Sequence, residues 1–174
     1  MNLQPHLSNE LITLDTLREV DFEELYAVAS DPFIWEQHPN PDRYKRDVFA
    51  IYFEGALQSK GAFIIRDKIS KEAIGSTRFY DYLPDQKEIK IGYTFYARKY
   101  WGKGINPIVK RLMLNYAFQF VDKVIFHVGA NNIRSQKAME KLGAITVGLE
   151  EVTYFGEATR LNIVYAIHNP ANRA

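Results

Sequence analysis

The sequence contains no cysteine. Disulfide frameworks and thiolate metal sites are therefore excluded, and the composition suits a reducing compartment. An excess of charge of either sign is also lacking, because 22 Lys and Arg residues are balanced by 21 Asp and Glu residues. A dedicated nucleic-acid-binding protein usually carries a strong basic excess, so no nucleic-acid partner is expected.

Long apolar runs are missing as well. No stretch is apolar enough, for long enough, to span a bilayer. Residues 1–14 lack the basic start and the apolar run of a signal peptide, so we expect a cytoplasmic protein without a membrane partner. The histidines at positions 6, 38, 127 and 168 show no metal-ligand spacing, and no metal site is predicted.

Apolar and aromatic residues are plentiful, with 47 % hydrophobic residues, 11 Tyr and 11 Phe. Such a chain can bury a substantial core, and its 174 residues fit a single domain over residues 1–174. Hydrophobic periodicity predicts the element order β-α-α-β-β-β-α-β-α-β-β. This order predicts a mixed α/β (α+β) fold of about seven strands and about four helices, mostly antiparallel with a parallel pair in the middle.

The predicted strands cover residues 10–17, 61–83 (a hairpin that turns near residues 68–71), 88–97, 123–130, 144–155 and 159–167. The predicted helices cover residues 18–31, 42–59, a run ending near 120 whose apolar stripe starts at Ile108, and 132–143. Gly143 is a natural residue to follow the last helix. The proline-rich residues 31–42 are expected to form a loop.

The stretch YWGKGINP, residues 100–107, places two glycines directly before a helix. Backbone N–H groups at a helix start have no partners within the helix, so a turn of small residues there can bind a phosphate. Asn106 is predicted to cap the helix and Pro107 to take its first position. A plain turn is the alternative, because neither the Walker A pattern nor the dinucleotide-binding glycine pattern is present.

A second motif, NNIRSQKAMEKLGA at residues 131–144, follows the next predicted strand. The two motifs together resemble the GNAT superfamily of N-acetyltransferases, and specifically its RimJ/RimL-like branch. The resemblance extends to IGSTRFYDY and to IKIGYTFYARKYWGKG, and it spans nearly the whole chain in the right order. It implies a GNAT-type sheet whose middle parallel pair splays apart, with acetyl-CoA as the cosubstrate.

The resemblance also implies how acetyl-CoA is held. The pyrophosphate is expected on the glycine turn, at Trp101, Gly102, Lys103, Gly104, Ile105 and Asn106. The pantetheine arm is expected to pair with the strand backbone at Thr94, Phe95 and Tyr96. Asn132 matches an asparagine that contacts the end of the pantetheine, although an N-cap of the following helix is an equal alternative.

The chemistry of transfer implies further residues. Many relatives carry a tyrosine that protonates the departing thiolate, but that position is Met139 here. Ser135 is the nearest substitute, with a solvent-facing serine as the alternative. The branch often has a glutamate at the position of Lys90, so Glu88, two residues earlier on the same face of the strand, is the candidate base. An exposed structural carboxylate is the alternative for Glu88.

The function implied is transfer of an acetyl group from acetyl-CoA to a primary amine, either a protein N-terminus or a small amine. An acyl-CoA-binding regulatory module without turnover is the alternative, and a plain interaction domain is a third. Candidates for the acceptor side are Trp35, His38, Tyr44 and Tyr154, because they lie in loops and the last hairpin. A homodimer stays open.

Overall fold

A computed structural model of the protein describes residues 1–172. Its strands are β1 (Leu7–Ser8), β2 (Ile12–Thr16), β3 (Ala62–Asp67), β4 (Ala73–Leu83), β5 (Glu88–Tyr96), β6 (Lys123–Gly129), β7 (Ile145–Thr153) and β8 (Thr159–His168). Its α-helices are α1 (Phe22–Ala29), α2 (Arg46–Gln58), α3 (Ile105–Ala117) and α4 (Ile133–Lys141).

The strands form one sheet in the order β1-β2-β3-β4-β5-β6-β8-β7. Every neighbouring pair is antiparallel except β5 and β6, which are parallel. The predicted fold class, with its parallel pair in the middle, is therefore confirmed. The strand beyond the seven predicted is β1, whose two residues pair with β2 and are too few to show an alternating pattern.

The sheet is the middle layer of three. On one face, α3 and α4 cover a core that includes Phe79, Met113 and Phe126. On the other face, α1 and α2 cover a second core that includes Phe49 and Phe95. Because helices cover both faces, the central strands are largely buried on both sides, including polar residues of β4 such as Ser76, Thr77 and Arg78.

Several local predictions hold for clear physical reasons. The β3–β4 hairpin turns at residues 68–72, where the Asp67 carboxylate accepts the N–H groups of Ile69 and Ser70. Gly143 follows α4 with a φ of 79°, which a glycine adopts without strain. The prediction of a loop at residues 31–42 is only partly right. This segment contains the 3₁₀ turn Pro32–Ile34 and the start of a second, Pro41–Tyr44.

Strands β5 and β6 separate soon after they begin. They pair only at Glu88 with Lys123, Ile89 with Val124 and Lys90 with Ile125. Beyond Lys90, β5 runs on to Tyr96 while β6 diverges from it. The gap leaves one edge of β5 open in the centre of the molecule, and this is the splay that the family resemblance implied.

Candidate active site

A cavity of about 840 Å³ fills the gap between β5 and β6. Its walls come from both strands, from α3 and α4, and from the loop that follows α1. The volume falls within the range of about 300–1,000 Å³ that is usual for ligand sites. The glycine turn lies at the start of α3 and the second motif at the start of α4, so both sequence motifs border the same cavity.

The glycine turn forms one end of the cavity. Gly102 and Gly104 have φ values of 72° and 76°, and a Cβ added to either would meet no atom within 4 Å. Among residues 1–172, no acceptor takes the backbone N–H groups of Gly102, Gly104, Ile105 or Asn106. Open space and four free donors at a helix start fit an anionic group such as a pyrophosphate.

The predicted cap of this helix is wrong. Helix α3 begins at Ile105, and its N-cap is Gly104 rather than Asn106. The left-handed glycine already turns the chain, so the helix starts directly after it and Pro107 takes the third position. Pro107 is tolerated there because the first N–H groups of a helix have no intrahelical partner. The Asn106 amide oxygen instead accepts the Tyr96 hydroxyl at 2.9 Å.

The three predicted residues of β5 face different sides of the sheet. Thr94 and Tyr96 line the cavity, whereas the Phe95 ring is buried in the second core against Trp35, with a ring-centre distance of 4.8 Å. Only the backbone of Phe95 is available to a ligand. The Trp101 indole N–H donates to the Tyr96 carbonyl at 3.0 Å, which ties the glycine turn to the end of β5. Lys103 is exposed and does not line the cavity.

The second motif forms the opposite wall. Asn132 is buried and caps α4, since its amide oxygen accepts the N–H of Ser135 at 3.0 Å. Ser135 and Met139 both line the cavity, and Met139 is also part of the first core. The Ser135 hydroxyl has no partner among the described residues, so it is available to a ligand.

The structure places Glu88 away from the cavity, which corrects its assignment as a base. It lies at the first residue of β5 and pairs with Lys123 across the strands, at 2.7 Å. The nearest cavity residue of its own strand is Ile91, about 10 Å farther on at the usual rise per residue. The alternative of an exposed carboxylate is also wrong, because only 8 % of Glu88 is exposed.

Sequence reasoning missed Lys110, which lies on the second turn of α3 and is only 3 % exposed. Its ammonium donates to the hydroxyls of Thr94 at 2.6 Å and Thr77 at 3.3 Å. Burial lowers the pKa of Lys110 to about 7. The sequence contains one signal for a buried lysine here. Lys110 directly follows the core residue Val109 and interrupts the apolar stripe that α3 buries.

Aromatic residues surround the end of the cavity away from the glycine turn. Tyr80, Tyr93, His38 and Tyr154 line it, together with the guanidinium of Arg43. Of the four acceptor-side candidates, His38 and Tyr154 therefore lie in the cavity. The other two do not: Trp35 is fully buried and Tyr44 packs against the second core.

Tyr93 has a φ of 53°, a conformation that costs a bulky residue roughly 1–3 kcal/mol. It lies where the β4–β5 register shifts, and four contacts hold it. The Tyr52 hydroxyl donates to its carbonyl at 2.6 Å, and the Arg78 guanidinium lies 3.8 Å from its ring centre. The rings of Tyr80 and Tyr154 meet it edge-on. This strained residue therefore lies in the part of β5 that has already separated from β6.

The cavity is rich in positive charge. Of the described residues that line it, none is Asp or Glu, whereas Arg43, Lys110, Arg111, Arg134, Lys137 and Lys141 are basic. Burial and the charges of Arg43 and Arg134 lower the pKa of His38 to about 3, so this imidazole is neutral at physiological pH. The site therefore suits anionic ligands and offers no carboxylate base.

Comparison with known proteins decides the family. The family model described as Acetyltransferase (GNAT) domain matches residues 12–145, which is most of the chain. The chain belongs to the GNAT acetyltransferase family. No curated protein gives a significant sequence match. This GNAT protein is therefore an acetyl-CoA-dependent acyltransferase by family. Residues 1–172 contain no cluster of three or more metal-ligating side chains.

Solved structures share the GNAT fold. A GCN5-related N-acetyltransferase from Brucella melitensis has a TM-score of 0.79 at 18 % identity, over 95 % of this chain and 79 % of its own. A ribosomal-protein-S5-alanine acetyltransferase from Vibrio fischeri has a TM-score of 0.70 at 15 % identity, over 98 % and 100 %. The microcin C7 self-immunity acetyltransferase MccE, solved with acetyl-CoA and AMP, has a TM-score of 0.74 at 16 % identity, over 96 % and 98 %.

The described part of this GNAT protein contains no helix long and apolar enough to cross a membrane. Its likeness to the solved structures, all below 25 % identity, concerns the fold. The cavity is therefore the feature from which its own reaction must be argued.

Proposed function

We propose that the protein transfers the acetyl group of acetyl-CoA to a primary amine, and that the cavity between β5 and β6 holds both reactants. The observation that carries this proposal is the open edge of β5, which ends at a turn with four free N–H donors. An extended arm with a phosphate at one end and an acyl group at the other matches this layout. The resemblance to the RimJ/RimL-like branch supports the same choice.

The phosphate end belongs at the glycine turn. Gly102 and Gly104 line the cavity and their N–H groups have no acceptor among the described residues, while Arg111, Lys137 and Lys141 add positive charge to the cavity wall. The pantetheine arm runs along the backbone of residues 94–96, and Asn132 borders its far end. Acetyl-CoA supplies the activated acyl group when bound, and the chain supplies the position and the charges around it.

The acceptor amine must lose a proton before it can attack. No carboxylate lines the described cavity, and Glu157, which lies next to it, is already paired with Arg43, so no unpaired carboxylate stands ready to take the proton. The amine therefore reacts from the fraction that is already neutral, with water carrying the proton away. This favours α-amino groups, with a pKa of about 8, over lysine-like amines at about 10.4. The candidate acceptors remain a protein N-terminus and a small amine.

Ser135 is proposed to stabilise the departing sulfur. Its hydroxyl has no partner among the described residues and opens on the cavity, while its own N–H is bonded to the Asn132 cap. The hydroxyl can donate a hydrogen bond without disturbing the helix start. The tyrosine that many relatives use is replaced by Met139, which has no proton to give.

The second candidate function is an acyl-CoA-binding module without turnover. It is favoured by Met139 and Lys90, which stand where relatives carry ionisable groups, and by the distance of Glu88 from the cavity. Both functions require CoA binding, so binding alone does not separate them.

Acetyl-CoA is to be incubated with the protein and a panel of peptides, amino acids and polyamines. Thiol release and the mass of each acceptor are measured over a range of pH. The enzyme proposal predicts acceptor-dependent thiol release, a matching gain of one acetyl group, and a rate that rises as the acceptor amine becomes neutral. CoA binding without acetylation of any acceptor favours the binding module instead.

A further inference from the structure

The side chain of Lys110 is buried and lines the cavity, close to the point where β5 and β6 diverge. Its Nζ lies 2.6 Å from the hydroxyl of Thr94 on β5 and 6.0 Å from the ring centre of Phe126 on β6. Thr77 on β4 provides the second hydroxyl, at 3.3 Å. The ammonium therefore lies against β4 and β5, at the wall of the cavity in which the pantetheine arm is proposed to run.

This placement is costly for a lysine. Lysine is almost never fully buried unless it is paired, and among the described residues no carboxylate contacts the ammonium of Lys110. Its two partners are hydroxyls, whereas an ammonium has three N–H donors. An apolar residue would fill the same volume without a desolvation cost. One donor thus remains for a ligand in the cavity.

We propose that Lys110 is the acid of the transfer reaction and gives the departing CoA sulfur its proton. This inference rests on the proposed function, because it concerns the same cavity. It fills the role left vacant by Met139, from the helix that also holds the glycine turn. Ser135 on α4 then assists with a hydrogen bond from the other wall.

The step is balanced within the cavity. The neutral amine nitrogen forms a bond to the acetyl carbon, and the carbon–sulfur bond breaks with its electron pair on sulfur. The sulfur takes a proton from the ammonium of Lys110, which becomes a neutral amine. The proton lost by the new amide nitrogen restores Lys110 through water, so the net products are an acetylated amine and CoA thiol.

The charges around Lys110 allow this proton transfer near neutrality. Burial alone lowers its pKa to about 7, and neither a carboxylate nor any cation of the cavity contributes. The neighbours from β4, β5 and β6 are Thr77, Thr94 and Phe126, which do not titrate. Tyr96 is the titratable residue of β5 in the same wall, and burial raises its pKa, so it stays neutral.

The test follows the thiol of bound CoA by its ultraviolet thiolate absorbance during a pH titration. A permanent cation at this position must lower the pKa of the bound thiol, whereas Lys110 does so only while it is protonated, below its own pKa of about 7. The parent is compared with Lys110→Met, which fills the site without charge, and with Lys110→Arg, which keeps the charge but does not release a proton at these pH values. Lys87→Met is the control, because Lys87 is exposed and pairs with Asp122 outside the cavity.

Lys110→Arg is expected to lower the thiol pKa relative to Lys110→Met, because its charge persists over the whole titration, and the parent is expected to lie between the two. Both variants are expected to lose about 10²–10⁴-fold in kcat, the usual contribution of a general acid. The same thiol pKa in Lys110→Arg and Lys110→Met would overturn the placement beside the sulfur, and full activity of Lys110→Met would overturn the inference. Full activity of Lys110→Arg would overturn the proton-transfer step.

These outcomes distinguish a failure of the role of Lys110 from a failure of the proposed function. If the parent binds CoA and acetylates an amine while Lys110→Met behaves like the parent, only the role of Lys110 fails. If the parent binds no CoA, the proposed function fails and the role of Lys110 fails with it.

Discussion

Arg43 and Glu157 form a buried, doubly hydrogen-bonded ion pair. The Nε–Oε1 and Nη2–Oε2 distances are both 2.8 Å, and the side chains are only 4 % and 8 % exposed. The pair joins the turn before α2 to the turn between β7 and β8. Arg43 also lies over the rings of Tyr52 and Tyr154, at 5.0 and 5.8 Å. The pair therefore fixes the aromatic end of the cavity.

Glu157→Ala should lower the free energy of unfolding by about 3–5 kcal/mol, because it leaves Arg43 buried without its counter-charge. Urea denaturation measures this change. Glu23→Ala is the matched control, since Glu23 pairs with Arg46 at the surface, where water and salt screen the pair, and its loss should hardly change the stability. Equal losses in the two variants would contradict the buried character of the Arg43 pair.

Gly104→Ala should weaken acetyl-CoA binding, because a side chain at this position enters the space of the proposed phosphate. Gly143→Ala is the control for backbone strain alone. Both glycines have positive φ values with no atom within 4 Å of an added Cβ, but only Gly104 lines the cavity. Each variant should lose about 1–2 kcal/mol of stability.

Isothermal titration calorimetry with acetyl-CoA distinguishes the effect of backbone strain from that of a side chain in the proposed phosphate site. We expect Gly104→Ala to lose affinity by 10-fold or more, roughly the equivalent of one or two hydrogen bonds to a charged group, while Gly143→Ala keeps the affinity of the parent. Equal affinities in all three proteins would remove the turn from the binding site.

Ser135→Ala should lower kcat while the affinity for acetyl-CoA stays near that of the parent. The substitution removes the hydroxyl but keeps the backbone N–H that Asn132 caps, so helix α4 should not change. A loss of kcat without a loss of binding indicates an interaction made in the transition state. Unchanged kcat would leave Ser135 as an ordinary residue of the first turn.

The buried lysine also predicts how stability depends on pH. The folded pKa of Lys110 is about 7 and that of an unfolded lysine is about 10.4, so the unfolded chain holds one more proton between these values. The free energy of unfolding should therefore rise with pH in the parent by about 1.4 kcal/mol per unit, relative to Lys110→Met.

Denaturation curves of the two proteins from pH 7 to pH 10 test this difference, because all other titrating groups are shared. At neutral pH, Lys110→Met should be the more stable protein. The same pH dependence in both would mean that the lysine keeps an ordinary pKa in the folded state.

The sequence predicted the elements well because periodicity and turn residues are local signals. The apolar stripe of α2 and the glycine after α4 each act within a few residues. The glycine turn was recognised for the same reason. Its cap was misplaced because Asn106 favours a cap by residue type, whereas the positive φ of Gly104 determined where the helix starts.

The site residues that sequence reasoning missed or misplaced depend on long-range geometry. Glu88 shares a face with Lys90 by strand parity, but parity does not show how far along β5 the cavity extends. Lys110 meets Thr77 and Thr94 only after three elements have packed together. The Arg43–Glu157 pair spans 114 positions, which no local pattern reports.

The most direct test of the central claim is an experimental structure of the protein with acetyl-CoA bound. Our account predicts the pyrophosphate within hydrogen-bonding distance of the N–H groups of Gly102 and Gly104. It also predicts the pantetheine arm in the gap beside Thr94, with the acyl end towards Tyr93. A ligand bound elsewhere on the molecule, or a cavity that stays empty at saturating acetyl-CoA, would contradict it.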